Sequence, residues 1–128
     1  MNDRHRAVLV VDDDPDISEI VTIILGLHAV PVVTARDGAE ALALLHESHD
    51  FGLVLLDLMM PKMDGAAFLR QLKAAPEPAR TPIIVMSGNR ETATTATTLG
   101  ADGYLLKPIE LDDLTRVVAQ FVPFDETK

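Results

Sequence analysis

Cysteine is absent from the 128 residues, so the chain has no disulfide framework and no thiolate chemistry, and its expected setting is the cytoplasm. Also lacking is any apolar run near the ~20 residues needed to span a bilayer, so no membrane association is expected. The opening Met1-Asn2-Asp3-Arg4-His5-Arg6 leads into a run too short, and too acidic behind it, to read as a signal peptide. Basic residues are few: 11 Lys and Arg against 20 Asp and Glu leave a net charge of -9. That balance argues against direct nucleic-acid binding, which needs clustered Lys and Arg. It fits a protein that holds cations or docks on basic partners. What is there, 48% hydrophobic and 24% charged residues, is the composition of one globular domain of ordinary size.

The central stretch is Leu53-Val54-Leu55-Leu56-Asp57, four apolar residues that deliver one carboxylate. A continuous run of this kind suits a strand buried on both faces of a parallel sheet. Residues 7–12, Ala-Val-Leu-Val-Val-Asp, repeat the pattern, and Ile83-Ile84-Val85-Met86 and Gly103-Tyr104-Leu105-Leu106 are further apolar strands. Val30-Pro31-Val32-Val33-Thr34-Ala35 is a fifth, with Pro31 pointing to an edge. Helices fall between them. Asp14-Pro15 reads as an N-cap with proline in the first turn, followed by the stripe Ile17, Ile20, Val21, Ile24 and Leu25. Asp37 and Glu40 form a capping-box-like start to a second helix buried through Leu42, Leu44 and Leu45. Phe68, Leu69 and Leu72 mark a third, and Leu111, Leu114, Val118 and Phe121 the last. Residues 90–99, with five threonines and little apolar content, have poor helix propensity and are expected to be the least stable element. Strand and helix thus alternate five times, which implies a parallel sheet with helices on both faces and right-handed crossovers.

In such a sheet every strand's carboxyl end opens on one edge, where ligands bind. Those ends carry Asp12 and Asp13, Asp57, Ser87 and Lys107. Taken singly, each is an ordinary turn or surface residue. Together they put three acids, a hydroxyl and a cation on one edge. Two carboxylates at ~4 Å near a surface repel by about 4 kcal/mol, so holding three costs stability unless a cation is present. Oxygen donors without Cys or His select a hard ion, and Mg²⁺ typically takes carboxylates, waters and phosphate. Aspartate can attack a phosphoryl group to give an acyl phosphate, while a lysine and a hydroxyl bind its remaining oxygens.

These residues resemble the receiver domain of two-component response regulators. The likeness runs from residue 7 to about 122 and rests on Val10-Val11-Asp12-Asp13-Asp14-Pro15, Asp57-Leu58-Met59-Met60-Pro61-Lys62-Met63-Asp64-Gly65, Ser87-Gly88 and Tyr104-Leu105-Leu106-Lys107-Pro108. It implies a three-layer, flavodoxin-like doubly wound α/β fold of strand order 2-1-3-4-5, an order for which a chemotaxis receiver is a known example. Residues 1–122 would be the receiver, and 123–128 a tail or the start of a linker. The resemblance implies a signalling switch rather than an enzyme acting on a separate substrate, one that promotes its own phosphorylation and slow dephosphorylation. Asp57 would accept a phosphoryl group from a sensor histidine kinase or a histidine phosphotransfer protein, with Mg²⁺ as cofactor and Mn²⁺ as a substitute. Asp13 and Asp57 would contact the ion directly, Asp12 mostly through water, and Met59 through its backbone carbonyl. Ser87 and Tyr104 would form the switch pair, reshaping the face of the fourth helix, fifth strand and fifth helix for an effector or a second copy. The Lys107-Pro108 bond would be cis. Departures from the common pattern are Ser87 for threonine, Gly88 for alanine, Ala29 where glycine often ends the first helix, and Gly52 and Gly103 for acids.

His46-x-x-His49 has one-turn spacing but reads as a solvated helix end, and Met59, Met60 and Met63 read as loop packing rather than a soft-metal site. Rival functions fit less well. A phosphohydrolase of haloacid-dehalogenase type would need a second Asp where Met59 stands. A mononucleotide binder of flavodoxin type would want a Ser/Thr/Gly-rich loop in place of Asp12-Asp13-Asp14. A receiver-like interaction module that works without phosphorylation is the remaining alternative, and the intact set of charged residues weighs against it.

Overall fold

The computed structural model describes residues 7–47, 51–58, 65–73 and 81–124. Strands β1 (Ala7–Val11), β2 (Val32–Ala35), β3 (Phe51–Asp57), β4 (Ile83–Ser87) and β5 (Gly103–Leu106) form one parallel sheet of order β2-β1-β3-β4-β5. Helices α1 (Pro15–Gly26), α2 (Gly38–Glu47), α3 (Gly65–Lys73), α4 (Arg90–Thr98) and α5 (Leu111–Ala119) connect them. The fold class, strand order and alternation expected from the sequence are those observed.

The central strand explains the arrangement. All seven residues of β3 are buried, because β3 has neighbours on both sides and helices on both faces. Its side chains alternate: Val54 and Leu56 join Leu9, Val11, Ile83 and Val85 in one apolar cluster with Phe68, Leu69 and Ala96 of α3 and α4. Leu53 and Leu55 join Val8, Val10, Ile84 and Met86 in the other, with Val21 and Leu25 of α1 and Leu114 and Val118 of α5. So α1 and α5 cover one face and α2, α3 and α4 the other, as the period of two along each strand demands. At the edge, β2 is only partly buried, and the Pro31 carbonyl just before it accepts a hydrogen bond from Val8 N at 3.0 Å.

Helix starts follow the sequence closely. Asp14 Oδ1 accepts from Asp16 N at 2.9 Å, with Pro15 opening α1. Asp37 Oδ1 accepts from Glu40 N at 2.9 Å, while the Glu40 carboxylate reaches back to Arg36 N at 2.8 Å. That is a capping box displaced by one residue. The Asn89 side chain caps α4 by accepting from Thr92 N at 3.0 Å.

Two expectations change. The stripe on α1 included Ile20, but Ile20 is 52% exposed, beside Ile23 at 57% and Leu27 at 77%. The helix leans on the sheet through Val21 and Leu25, flanked by Ile17 and Ile24, and carries more apolar residues than that contact uses. Leu111 is likewise 55% exposed, since α5 packs through Leu114 and Val118. Elsewhere the backbone keeps a turn that its residue disfavours. Helix α1 closes with Val30 N donating to Leu25 O at 3.0 Å and Ala29 N to Gly26 O at 3.1 Å, which places Ala29 at φ 61. Helix α4 ends in the same pattern with Gly100 at φ 117, where glycine has no steric penalty. Leu72 and the Pro76-Glu77-Pro78 stop fall on side chains and residues outside those described. The Lys107-Pro108 peptide is cis.

Candidate functional site at the carboxyl edge of the sheet

The strand period also sorts the edge residues. Asp12, Asp57 and Lys107 continue the alternation of Val8 and Val10, of Leu53 and Leu55, and of Leu105, all on the α1/α5 face. Because these strands are β1, β3 and β5 of one parallel sheet, the three charged groups are delivered to one end. Lys107 Nζ lies 3.3 Å from Asp57 Oδ1 and 3.4 Å from Asp12 Oδ2. Both carboxylates are buried, whereas the lysine side chain keeps 24% of its surface in contact with solvent. The Lys107 backbone is fixed too, its N–H donating to Ser87 O at 2.8 Å.

Burial pushes the Asp12 carboxyl up from its ordinary 3.8 to about 6. A hydrogen bond from Asp14 N at 2.9 Å and the Lys107 ammonium oppose this, while the Asp57 carboxylate adds to it. The Lys107 ammonium therefore does not offset the burial of Asp12. Asp13 is exposed, and one oxygen each of Asp12, Asp13 and Asp57 lies within 4.8 Å of the others. The three donors are all carboxylate oxygens, the chemistry that suits a hard divalent cation. The Met59 carbonyl expected to complete the set lies outside the described residues.

Ser87 ends β4 on the opposite parity, toward the α4 side, and is fully buried. Its hydroxyl donates to Asn89 O at 3.1 Å and accepts from Asn89 N at 3.0 Å, so both bonds are spent on the loop that starts α4. A Cβ at Gly88, between them, would meet nothing within 4 Å, so packing does not require glycine there. Tyr104 on β5 is half-buried, and its hydroxyl lies 3.4 Å from Arg90 Nη1. His46 is an exposed residue near the end of α2, as expected, and His49 lies outside the described residues. Gly103 approaches its neighbour closely: a Cβ there would stand 2.9 Å from Ile84 Cδ1.

Two features were not read from the sequence. One is Arg90, whose contact with Tyr104 depends on where α4 sits. The other is a cleft of about 530 Å³ that leads from Asp12 and Asp13 along Ser18 and Ile23 of α1 to Arg36. The signal for the cleft was present in part, since Ile23 falls outside the stripe that buries α1. Among the described residues no helix is long and apolar enough to cross a membrane.

Comparison with known proteins agrees with this geometry. The family model described as the response regulator receiver domain matches residues 8–119. The DNA-binding response regulator MtrA of Mycolicibacterium smegmatis is 35% identical over 116 residues, which are 89% of this chain and 49% of that protein. The transcriptional regulatory protein CpxR of Klebsiella pneumoniae is 39% identical over 103 residues, 79% of this chain and 42% of CpxR. The chain thus spans about half or less of the length of these relatives. Among solved structures, the receiver domain of NtrX from Brucella abortus superimposes with a TM-score of 0.80 at 34% identity, covering 88% of this chain and 95% of that one. The chemotaxis protein CheY4 of Vibrio cholerae gives 0.80 at 30% identity, covering 91% and 98%. Sequence, sheet order and superposition lead to one conclusion: the chain belongs to the receiver domain family of two-component response regulators.

Proposed function

We propose that residues 1–122 act as a phosphorylation-driven switch in which Asp57 accepts a phosphoryl group from a phosphohistidine donor, a sensor histidine kinase or a histidine phosphotransfer protein. The observation that carries this reading is the buried Asp57 carboxylate, 3.3 Å from Lys107 Nζ and grouped with Asp12 and Asp13. In the transfer an Asp57 oxygen forms a bond to phosphorus as the donor's P–N bond breaks, and the electron pair leaves with the imidazole. Lys107 exchanges its contact with the carboxylate for one with a phosphoryl oxygen, and the Ser87 hydroxyl takes another after leaving Asn89. Asp12, Asp13, Asp57 and the Met59 carbonyl would hold Mg²⁺, or Mn²⁺ in its place; when bound, the ion offsets negative charge on the phosphoryl oxygens.

The surface beside the cleft supports a protein donor. Ile20, Ile23 and Leu27 leave an apolar ridge on α1, and Ile23 lines the same cleft as Asp13. A donor helix laid along that ridge would bring its phosphohistidine to the carboxyl edge. Output would pass through Ser87 and Tyr104 to the α4-β5-α5 face, which would meet an effector or a second copy. No membrane and no nucleic acid is assigned to this domain, because its surface charge is net acidic.

The test uses acetyl phosphate with Mg²⁺ and intact mass. One added phosphoryl group is expected on the wild type and none on Asp57→Asn. A wild type without an adduct, or an adduct that survives the substitution, contradicts the proposal and leaves the interaction-only alternative.

A further inference from the structure

We propose that Arg90 is a positioning residue that holds Tyr104 in the conformation seen here, and that the segment from Ser87 to Arg90 ties this hold to the state of the phosphoryl site. The inference rests on the switch reading above and adds a residue to it.

Helix α4 lies against β4 and β5 through small side chains. Its buried side chains are Ala93 and Ala96, which cover little apolar area. Its threonines turn inward on the helix itself: Thr94 and Thr95 donate to Glu91 O, each at 3.0 Å, and Thr97 to Thr94 O at 2.7 Å. Such bonds keep the hydroxyls from reaching neighbouring elements. The amino-terminal contacts of α4 therefore weigh heavily in its position. They form one chain of links. The Ser87 hydroxyl holds both main-chain polar groups of Asn89, the Asn89 side chain caps Thr92 N, and Arg90, the next residue, reaches Tyr104 Oη.

The placement of Arg90 is itself informative. It is the first residue of α4, where the helix dipole disfavours a cation. Helix stability gives no reason for an arginine there, whereas the tyrosine hydroxyl 3.4 Å away gives one. When Ser87 turns to a phosphoryl oxygen it gives up both of its bonds to Asn89, whose carbonyl keeps the helical bond from Ala93 N at 3.0 Å; the link from the site to the start of α4 loosens, and the guanidinium loses its fixed approach to Tyr104. Arg90 thus opposes activation until the site hydroxyl moves.

Two measurements test this. Tyr104 is the one tyrosine in a chain without tryptophan, so intrinsic fluorescence reports on it alone. Without any ligand, Arg90→Ala should raise acrylamide quenching of that fluorescence; an unchanged quenching constant overturns the hold. Next, affinity for beryllofluoride with Mg²⁺, a phosphoryl mimic, is read by fluorine NMR in the wild type, Arg90→Ala, Tyr104→Phe and the double variant. Loss of one hydrogen bond predicts about a two- to tenfold tighter binding for Arg90→Ala. The double variant should bind no more tightly than Tyr104→Phe alone. Unchanged affinity in Arg90→Ala, or independent effects that multiply in the double variant, overturns the proposal while leaving the switch intact. A wild type that does not bind the mimic refutes the switch and this proposal together.

Discussion

Asp12 shows how a single carboxylate is set by its surroundings. Its folded-state value of about 6 stands above the ordinary 3.8, so between those values the folded protein holds a proton that the unfolded chain has released. Stability contributed by the protonated form is complete below about pH 4 and is lost as pH rises through about 6. The metal-free protein should therefore lose stability across that window as pH rises. Urea denaturation at pH 4.5 and 7.5 checks the direction: the wild type should be more stable at the lower pH, and Asp12→Asn should flatten the difference. A wild type whose contribution rises with pH through this window, with Asp12→Asn unchanged, would show that burial does not govern this group. The residue-level pairing was legible in advance because Asp12, Asp57 and Lys107 need only the ends of strands in one parallel sheet. The Ser87 bonds to Asn89 were not, since a hydroxyl can satisfy itself locally or across the site with the same sequence.

Elements show a different balance of local and tertiary control. The starts of α1 and α2 were readable because Asp14, Pro15, Asp37 and Glu40 act within a few residues of each other. The burial pattern of α1 was only partly so: Ile20, Ile23 and Leu27 are apolar yet exposed, and periodicity alone does not say how wide a stripe the sheet covers. The end of α1 carries a stored cost. Ala29 holds the left-handed conformation at φ 61 that the closing hydrogen bonds demand, in place of the glycine usual there. Ala29→Gly removes a steric penalty of about 1 kcal/mol, partly offset by the freer unfolded chain. Its thermal midpoint should rise, and a fall would mean that the turn is not strained. Helix α4 is expected to be weak from its threonines. Its two buried alanines give that reading a physical basis, and hydrogen exchange at residues 90–99 should run faster than in α1. Equal protection in the two helices would contradict it.

For the whole molecule, the alternation of five apolar strands with five helices was enough to give a parallel sheet and the edge where charge collects, while the strand order came from the resemblance to receiver domains. Side-chain contacts made by helices and their flanking turns were not legible in this way: Arg90 with Tyr104, and His28 of the turn after α1 with Phe124 beyond α5, whose rings stack at 4.5 Å. These depend on how helices settle on the sheet, which no local pattern encodes. The same global arrangement separates two routes to one site. On the proposed reading a small phosphodonor would need only the carboxyl edge, whereas a protein donor would also use the α1 ridge. Ile23→Asp should therefore cut phosphotransfer from a cognate protein donor by tenfold or more, on the order of the loss of one well-buried apolar contact. Phosphorylation by acetyl phosphate should stay within about twofold. Equal losses with both donors would place Ile23 in the chemistry rather than in docking. The central claim is more direct still: the acyl phosphate forms on one carboxylate among three within 4.8 Å. Reducing the phosphorylated protein with borohydride converts an aspartyl phosphate to homoserine, which peptide mass spectrometry can locate. Homoserine at position 57 alone is the predicted result; homoserine at position 12 or 13, or none at all, would contradict the account.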